Sequence, residues 1–144
     1  PFGRRPPGGP PDRPGGWWLV TEVEVQIGPN VFRPDAMGWK RERIPTRPTG
    51  CPVEILPDWI CEVISPSSAS QDTVTKMNAY HRAQVPHYWL LDPRGQTLTV
   101  YRWHQDGYLQ VLAAQRGDRV RAEPFGAVEL QVGVLFGDDE EEPG

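Results

Sequence analysis

Between Glu22 and Ile27 the chain alternates: Val23, Val25 and Ile27 take one side, Glu22, Glu24 and Gln26 the other. A period of two marks a half-buried β-strand, so "WWLVTEVEVQIG" is predicted to run as one strand. "GPN" (28–30) turns the chain, and "VFRPDAMGW" opens a second strand that runs to about Asp35. Residues 40–57 are charged or Pro-rich and predict a long irregular connection, suited to a flap or lid. In "DWICEVISPS" (58–67), Ile60, Glu62 and Ile64 share one face, and Trp59, Cys61 and Val63 the other. Both faces are mostly apolar, which predicts a central strand covered on both sides.

Ser68 with Gln71 then resembles a capping box. "QDTVTKMNAYHRAQ" (71–84) predicts a helix with Val74, Met77 and Tyr80 in its inward stripe, stopped before Pro86. "HYWLLD", "TLTVYRWH" and "YLQVLAAQ" predict an antiparallel meander. "AVELQV" adds a short strand and "GVLFG" a helical turn. Strands, one helix and more strands give an α/β (α+β) class: a central mixed β-sheet flanked by a helix, with a C-terminal antiparallel meander.

Composition divides the 144 residues in three. Residues 1–16 hold six Pro and five Gly, a lead that cannot build a core and is expected to be flexible. Residues 17–136 form one domain, and residues 137–144 form an acidic tail expected to be disordered. The net charge is −4, and the tail's five acids leave the remainder near neutral. A neutral body argues against indiscriminate nucleic-acid binding, which needs many phosphate contacts. It still permits a local basic groove through Arg33, Lys40, Arg41, Arg43 and Arg47, against a solvated loop as the plainer reading. Cys51 and Cys61 make no CxxC pair and no zinc spacing with His81, His87 or His104, which suits a reducing cytoplasm. No secretory signal and no long apolar run point to export or to a membrane. The chain also lacks a GxSxG elbow and a Gly-rich phosphate loop.

Glu62 is the anomaly, since an unpaired carboxylate in a core costs several kcal/mol or takes up a proton. A buried ion pair, a hydrogen-bonded structural role and a metal site all remain open. Taken singly, Asp35 reads as a turn residue and Lys76 as the i,i+4 partner of Asp72. Together, Asp35, Glu62 and Lys76 are two carboxylates and an ammonium. Carboxylates on adjacent strands can hold a divalent cation such as Mg²⁺. The lysine can stabilise developing charge or help lower the pKa of a water.

"RPDAMGWKRERIP", "PDWICEVISPSSASQDTVTKMNAYHRAQVPHYWLLDP" and "LTVYR" resemble the Uma-type restriction endonucleases, a branch of the PD-(D/E)xK nuclease superfamily. The resemblance spans about residues 15–136 and implies a restriction-endonuclease-like fold. It implies Asp35 as the acid of the PD element and Glu62 as the (D/E), with the Val63 carbonyl as a third ligand for Mg²⁺ or Mn²⁺. Ile64 stands where the motif's lysine would be, and Lys76 is similar to the migrated lysine of this branch. Asp72 and Tyr80, one turn to either side of Lys76, would orient it or meet substrate, unless Tyr80 is a plain core aromatic. Arg33, Lys40, Arg41 and Arg43 would follow the DNA backbone, and a homodimer is expected. Such folds usually begin with a helix carrying a further acid; here it is expected upstream of Pro1 or absent, with Glu22 or Glu24 as substitutes. Three functions follow as expectations: a metal-dependent DNA endonuclease, a non-cutting binding module of the same fold, or a structural Glu62–Lys76 ion pair in an unrelated domain.

Overall fold

The computed structural model describes residues 16–66 and 69–139. The expectations for residues 1–15, for residues 140–144 and for the Ser68–Gln71 capping box lie outside the described residues and side chains. Ten short strands, one α-helix and one 3-10 helix make up the described chain. The strands are β1 (Trp17–Thr21), β2 (Val25–Ile27), β3 (Asn30–Phe32), β4 (Ala36–Lys40) and β5 (Trp59–Val63). After helix α1 (Ala69–Arg82) come β6 (His87–Asp92), β7 (Thr97–Arg102), β8 (Leu109–Gln115), β9 (Arg119–Val120) and β10 (Leu130–Gln131). The 3-10 helix Val132–Phe136 closes the order.

Six strands form the main sheet in the order β1-β4-β5-β6-β7-β8. Strands β5 and β6 are parallel neighbours joined through α1; the other pairs are antiparallel, so the sheet is mixed. The crossover lays α1 on one face. There Met37, Trp39, Ile60 and Tyr88 meet Tyr80 and Val85 from the helix side, and Val25, Ile27 and Val53 from the β2–β3 hairpin and the 41–57 loop. On the other face Trp59, Cys61, Trp89, Leu91, Leu98 and Val100 pack against Ala122, Val132 and the segments around them. The alternation of β5 is thus buried on both faces, as its sequence pattern requires. Cys61 behaves as a small hydrophobe; burial pushes its thiol up to about 12.

Five expectations need correction. The run "WWLVTEVEVQIG" is two strands, because Glu22 takes a left-handed φ of 55° and its N–H goes to the carbonyls of Pro34 and Asp35. β1 joins the main sheet and β2 forms a separate hairpin with β3. The second strand breaks at Arg33–Asp35, where Pro34 has no N–H to give a ladder, and β4 starts at Ala36. The helix begins and ends two residues earlier than its sequence suggests. Gln84, at φ 66°, stops it, and the Val85 N–H returns to the Tyr80 carbonyl at 3.1 Å, a Schellman-type closure. Val74 lies outside the inward stripe at 57% exposure; Met77, Ala79 and Tyr80 face the sheet instead. Of "AVELQV" only Leu130–Gln131 pairs, with β9. Among the described residues no helix is long and apolar enough to cross a membrane.

Candidate active site

Asp35, Glu62 and Lys76 meet at one end of the sheet. The β4–β5 register pairs Ala36 with Cys61, so one residue further on Asp35 stands opposite Glu62. The break at Pro34 frees Asp35 from the ladder and lets its side chain turn across: Oδ2 accepts the Val63 N–H at 2.7 Å. Glu62 points to the helix side of β5 and is only 4% exposed. Tyr80 on α1 donates its hydroxyl to Glu62 Oε2 at 2.5 Å. One turn earlier, Lys76 Nζ lies 3.6 Å from Glu62 Oε1; a further turn back, Asp72 Oδ2 holds the same ammonium at 3.2 Å.

The electrostatics follow from this packing. Burial pushes the Glu62 carboxyl up to about 7, against the Tyr80 hydrogen bond and the Lys76 charge, which pull it down. Asp35 works with burial, both by its charge and by a carboxyl–carboxyl hydrogen bond. A neighbouring carboxylate of like charge makes the ionised form of Glu62 harder to reach. Burial alone would lower Lys76, but the charges and hydrogen bonds of Glu62 and Asp72 outweigh it and hold the ammonium above the ordinary lysine range. Lys76 is therefore a fixed positive charge near neutrality, not a proton acceptor. Burial and the Glu62 charge also push Tyr80 up, so its phenol remains a donor.

The donor set suits a hard cation. Both side chains offer oxygen, and neither histidine nor thiolate competes for the position. Among the described residues no three His, Cys, Asp or Glu side chains converge. A cation held by Asp35 and Glu62 would complete its shell with backbone, water or phosphate oxygens, the habit of Mg²⁺. A dication would also offset the Asp35 repulsion that helps burial hold the proton on Glu62. Neither substitute acid joins the pair: the Glu22 carboxylate lies 4.0 Å from Arg33, and Glu24 accepts from Cys51 Sγ at 3.4 Å.

The structure divides the basic residues expected to follow substrate. Arg33 is at the carboxylate end, with Nε donating to the Glu22 carbonyl at 2.9 Å. Lys40 ends β4, five residues from Asp35, about 17 Å along an extended strand. Arg41 lies with Lys40 at that far end and stacks its guanidinium over Trp18 at 3.9 Å. Arg43 donates to both Asp58 carboxylate oxygens and to the Leu56 carbonyl. Asp58, buried at the start of β5, also accepts the Lys40 N–H at 2.8 Å. It clasps the 41–57 loop to the sheet, a role sequence reading missed although an acid beside an apolar strand was there to prompt it. Arg94, which the sequence did not single out, follows β6 at the carboxylate end and is paired with Asp92.

Comparison with known proteins agrees with this architecture. The model of the Uma2 family, described as "Putative restriction endonuclease", matches residues 10–134. The chain is similar in structure to a "putative nuclease belonging to DUF820" from Anabaena variabilis, with a TM-score of 0.66 and 24% identity over 88% of this chain and 70% of that one. At that identity the likeness speaks for the fold alone. Among curated proteins no match is found.

Proposed function

The chain belongs to the Uma2 family of restriction-endonuclease-like proteins, and on that premise we propose that it hydrolyses DNA phosphodiester bonds with a divalent cation bound at Asp35 and Glu62. The observation that carries this reading is the carboxyl pair itself, Asp35 set across from the buried Glu62, beside the Lys76 ammonium. Asp35, Glu62 and the Val63 carbonyl would hold Mg²⁺ or Mn²⁺. When bound, such an ion polarises a phosphate and makes its water a better nucleophile at neutral pH.

The chain's own groups do the rest. Asp35 is anchored by the Val63 N–H, and Glu62 by the Tyr80 hydroxyl, so both ligands are oriented before any ion arrives. Ile60, Met37 and Tyr88 keep water from the inner side of the pair, which strengthens its attraction for a cation. Lys76, held protonated by Asp72 and Glu62, places positive charge where a phosphate gains negative charge on attack. Of the four basic residues expected to follow DNA, Arg33 stands at this end and would meet the backbone; Lys40, Arg41 and Arg43 would reach it only along a longer path. A second reading, a module that binds nucleic acid without cutting, draws on one observation: no third acid joins the pair among the described residues.

Supercoiled plasmid incubated with Mg²⁺ or Mn²⁺ tests the first reading. Nicking or linearisation is expected from the wild type and not from Glu62→Gln or Asp35→Asn. Cutting that Glu62→Gln retains would place the chemistry elsewhere. DNA retention in a gel shift without any cutting would favour the second reading.

A further inference from the structure

Tyr80 is 0% exposed, and no hydrophobic role explains where its hydroxyl is. The ring is wedged between Phe32, edge-on at 5.3 Å, and Tyr88, edge-on at 5.6 Å. These neighbours come from β3 and β6, so the ring is braced by two elements besides its own helix. That bracing fixes the phenol oxygen at Glu62 Oε2, inside the core. The other carboxylate oxygen, Oε1, faces Lys76. The two oxygens of Glu62 therefore have different surroundings before any ligand is present: one is tied inward by a neutral donor, the other is turned to the charged side.

We propose that Tyr80 is a positioning residue that ties up Oε2, so that Glu62 offers a bound cation Oε1 alone. The proposal rests on the reading of Asp35 and Glu62 as a cation site. A carboxylate left to rotate can clasp an ion with both oxygens. One whose second oxygen already accepts a short hydrogen bond from a rigid phenol is steered to single-oxygen ligation. Single-oxygen ligation leaves more of the ion's shell for water and a phosphate, which a phosphodiester substrate needs. Tyr80 acts here through Glu62 and touches neither ion nor substrate.

Two measurements test this. The first is Mn²⁺ titration calorimetry at pH 8 on the wild type, Tyr80→Phe, Phe32→Leu and Glu62→Gln. Tyr80→Phe removes one oxygen and keeps the ring, and is expected to weaken Mn²⁺ by about ten- to a hundredfold, the usual effect of losing a ligand's supporting partner. Phe32→Leu removes one of the ring's two braces but keeps the hydroxyl; it should lower the melting temperature and weaken Mn²⁺ less than Tyr80→Phe does. Equal affinity in Tyr80→Phe and wild type, with binding lost in Glu62→Gln, would overturn the role of Tyr80 and leave the cation site standing. Equal affinity in wild type and Glu62→Gln would overturn the site, and this proposal with it. The second measurement needs no Tyr80 variant: the ion-induced infrared difference spectrum of wild type carrying isotope-labelled glutamate, which separates the glutamate bands from those of Asp35. A wide splitting between the two carboxylate stretches, the mark of single-oxygen ligation, is expected from Glu62; the narrow splitting of two-oxygen ligation would overturn the proposal.

Discussion

Replacing Glu62 with glutamine should stabilise the ion-free protein at pH 8 and change it far less at pH 4.5. The folded chain holds the Glu62 proton up to about pH 7, whereas the ordinary value is 4.5. The folded state therefore keeps a proton that the unfolded chain releases. Stability from this group is fully present below pH 4.5 and is lost as pH rises through 7. The interval is about 2.5 pH units, worth roughly 3 kcal/mol at 1.36 kcal/mol per unit. Glutamine has no proton to lose and still accepts from Tyr80 through its carbonyl, so the variant escapes this loss. For a chain of this size roughly 3 kcal/mol corresponds to a shift of about 10 °C in Tm. The groups facing Glu62 are Asp35 before β4, Cys61 beside it, Lys76, Asp72 and Tyr80 on α1 and Tyr88 on β6. All are shared by the two proteins, so the difference between them isolates residue 62, with the release of Asp35 from its neighbour as a smaller correction. The assay is thermal unfolding by circular dichroism from pH 4.5 to 8 in EDTA. Parallel curves for wild type and Glu62→Gln would refute the reasoning, because they would mean that Glu62 ionises as easily in the fold as in water.

The same proton predicts the response to metal. At pH 6, Mn²⁺ in about hundredfold excess over its Kd should raise wild-type stability by about 2.7 kcal/mol and leave Asp35→Asn unmoved. Calorimetry in buffers of different ionisation enthalpy should find about one proton released per ion bound at that pH; no release would contradict the proton on Glu62. At the far end of the sheet, Arg43→Ala strips the buried Asp58 of its guanidinium and should cost roughly 2 kcal/mol, read from urea melts. Its plasmid cutting per folded molecule should match wild type, and a large loss of cutting at unchanged stability would instead make Arg43 a substrate contact.

Much of the scaffold was legible because periodicity reports which faces are buried. Trp59 to Val63 are apolar on both sides, and that alone requires layers above and below the strand. The meander and the helix follow from the same kind of pattern. The exceptions sit where a backbone hydrogen bond overrides the pattern. Glu22 ends a strand in the middle of an alternating run because its N–H belongs to Pro34 and Asp35, residues more than ten positions away. Val74 looks inward on a helical wheel, but the face of α1 that meets the sheet carries Met77 and Tyr80 and leaves Val74 exposed.

For the candidate site, sequence alone nominated Asp35, Glu62 and Lys76. A carboxylate in the most apolar strand is conspicuous, and Asp35 and Lys76 flank it at spacings that suit adjacent elements. Only the tertiary structure decided which groups each of them meets. The register of β4 against β5 sets Asp35 across from Glu62. The packing of α1 gives Tyr80 one Glu62 oxygen and Lys76 the other. The folding of the 41–57 loop sends Arg43 to Asp58, away from the carboxylates that it neighbours in sequence. The reason is physical. Burial patterns are local sums that a sequence carries openly. A charge acquires its pKa and its partner from groups a few ångströms away, and which groups those are depends on how distant segments come to lie side by side.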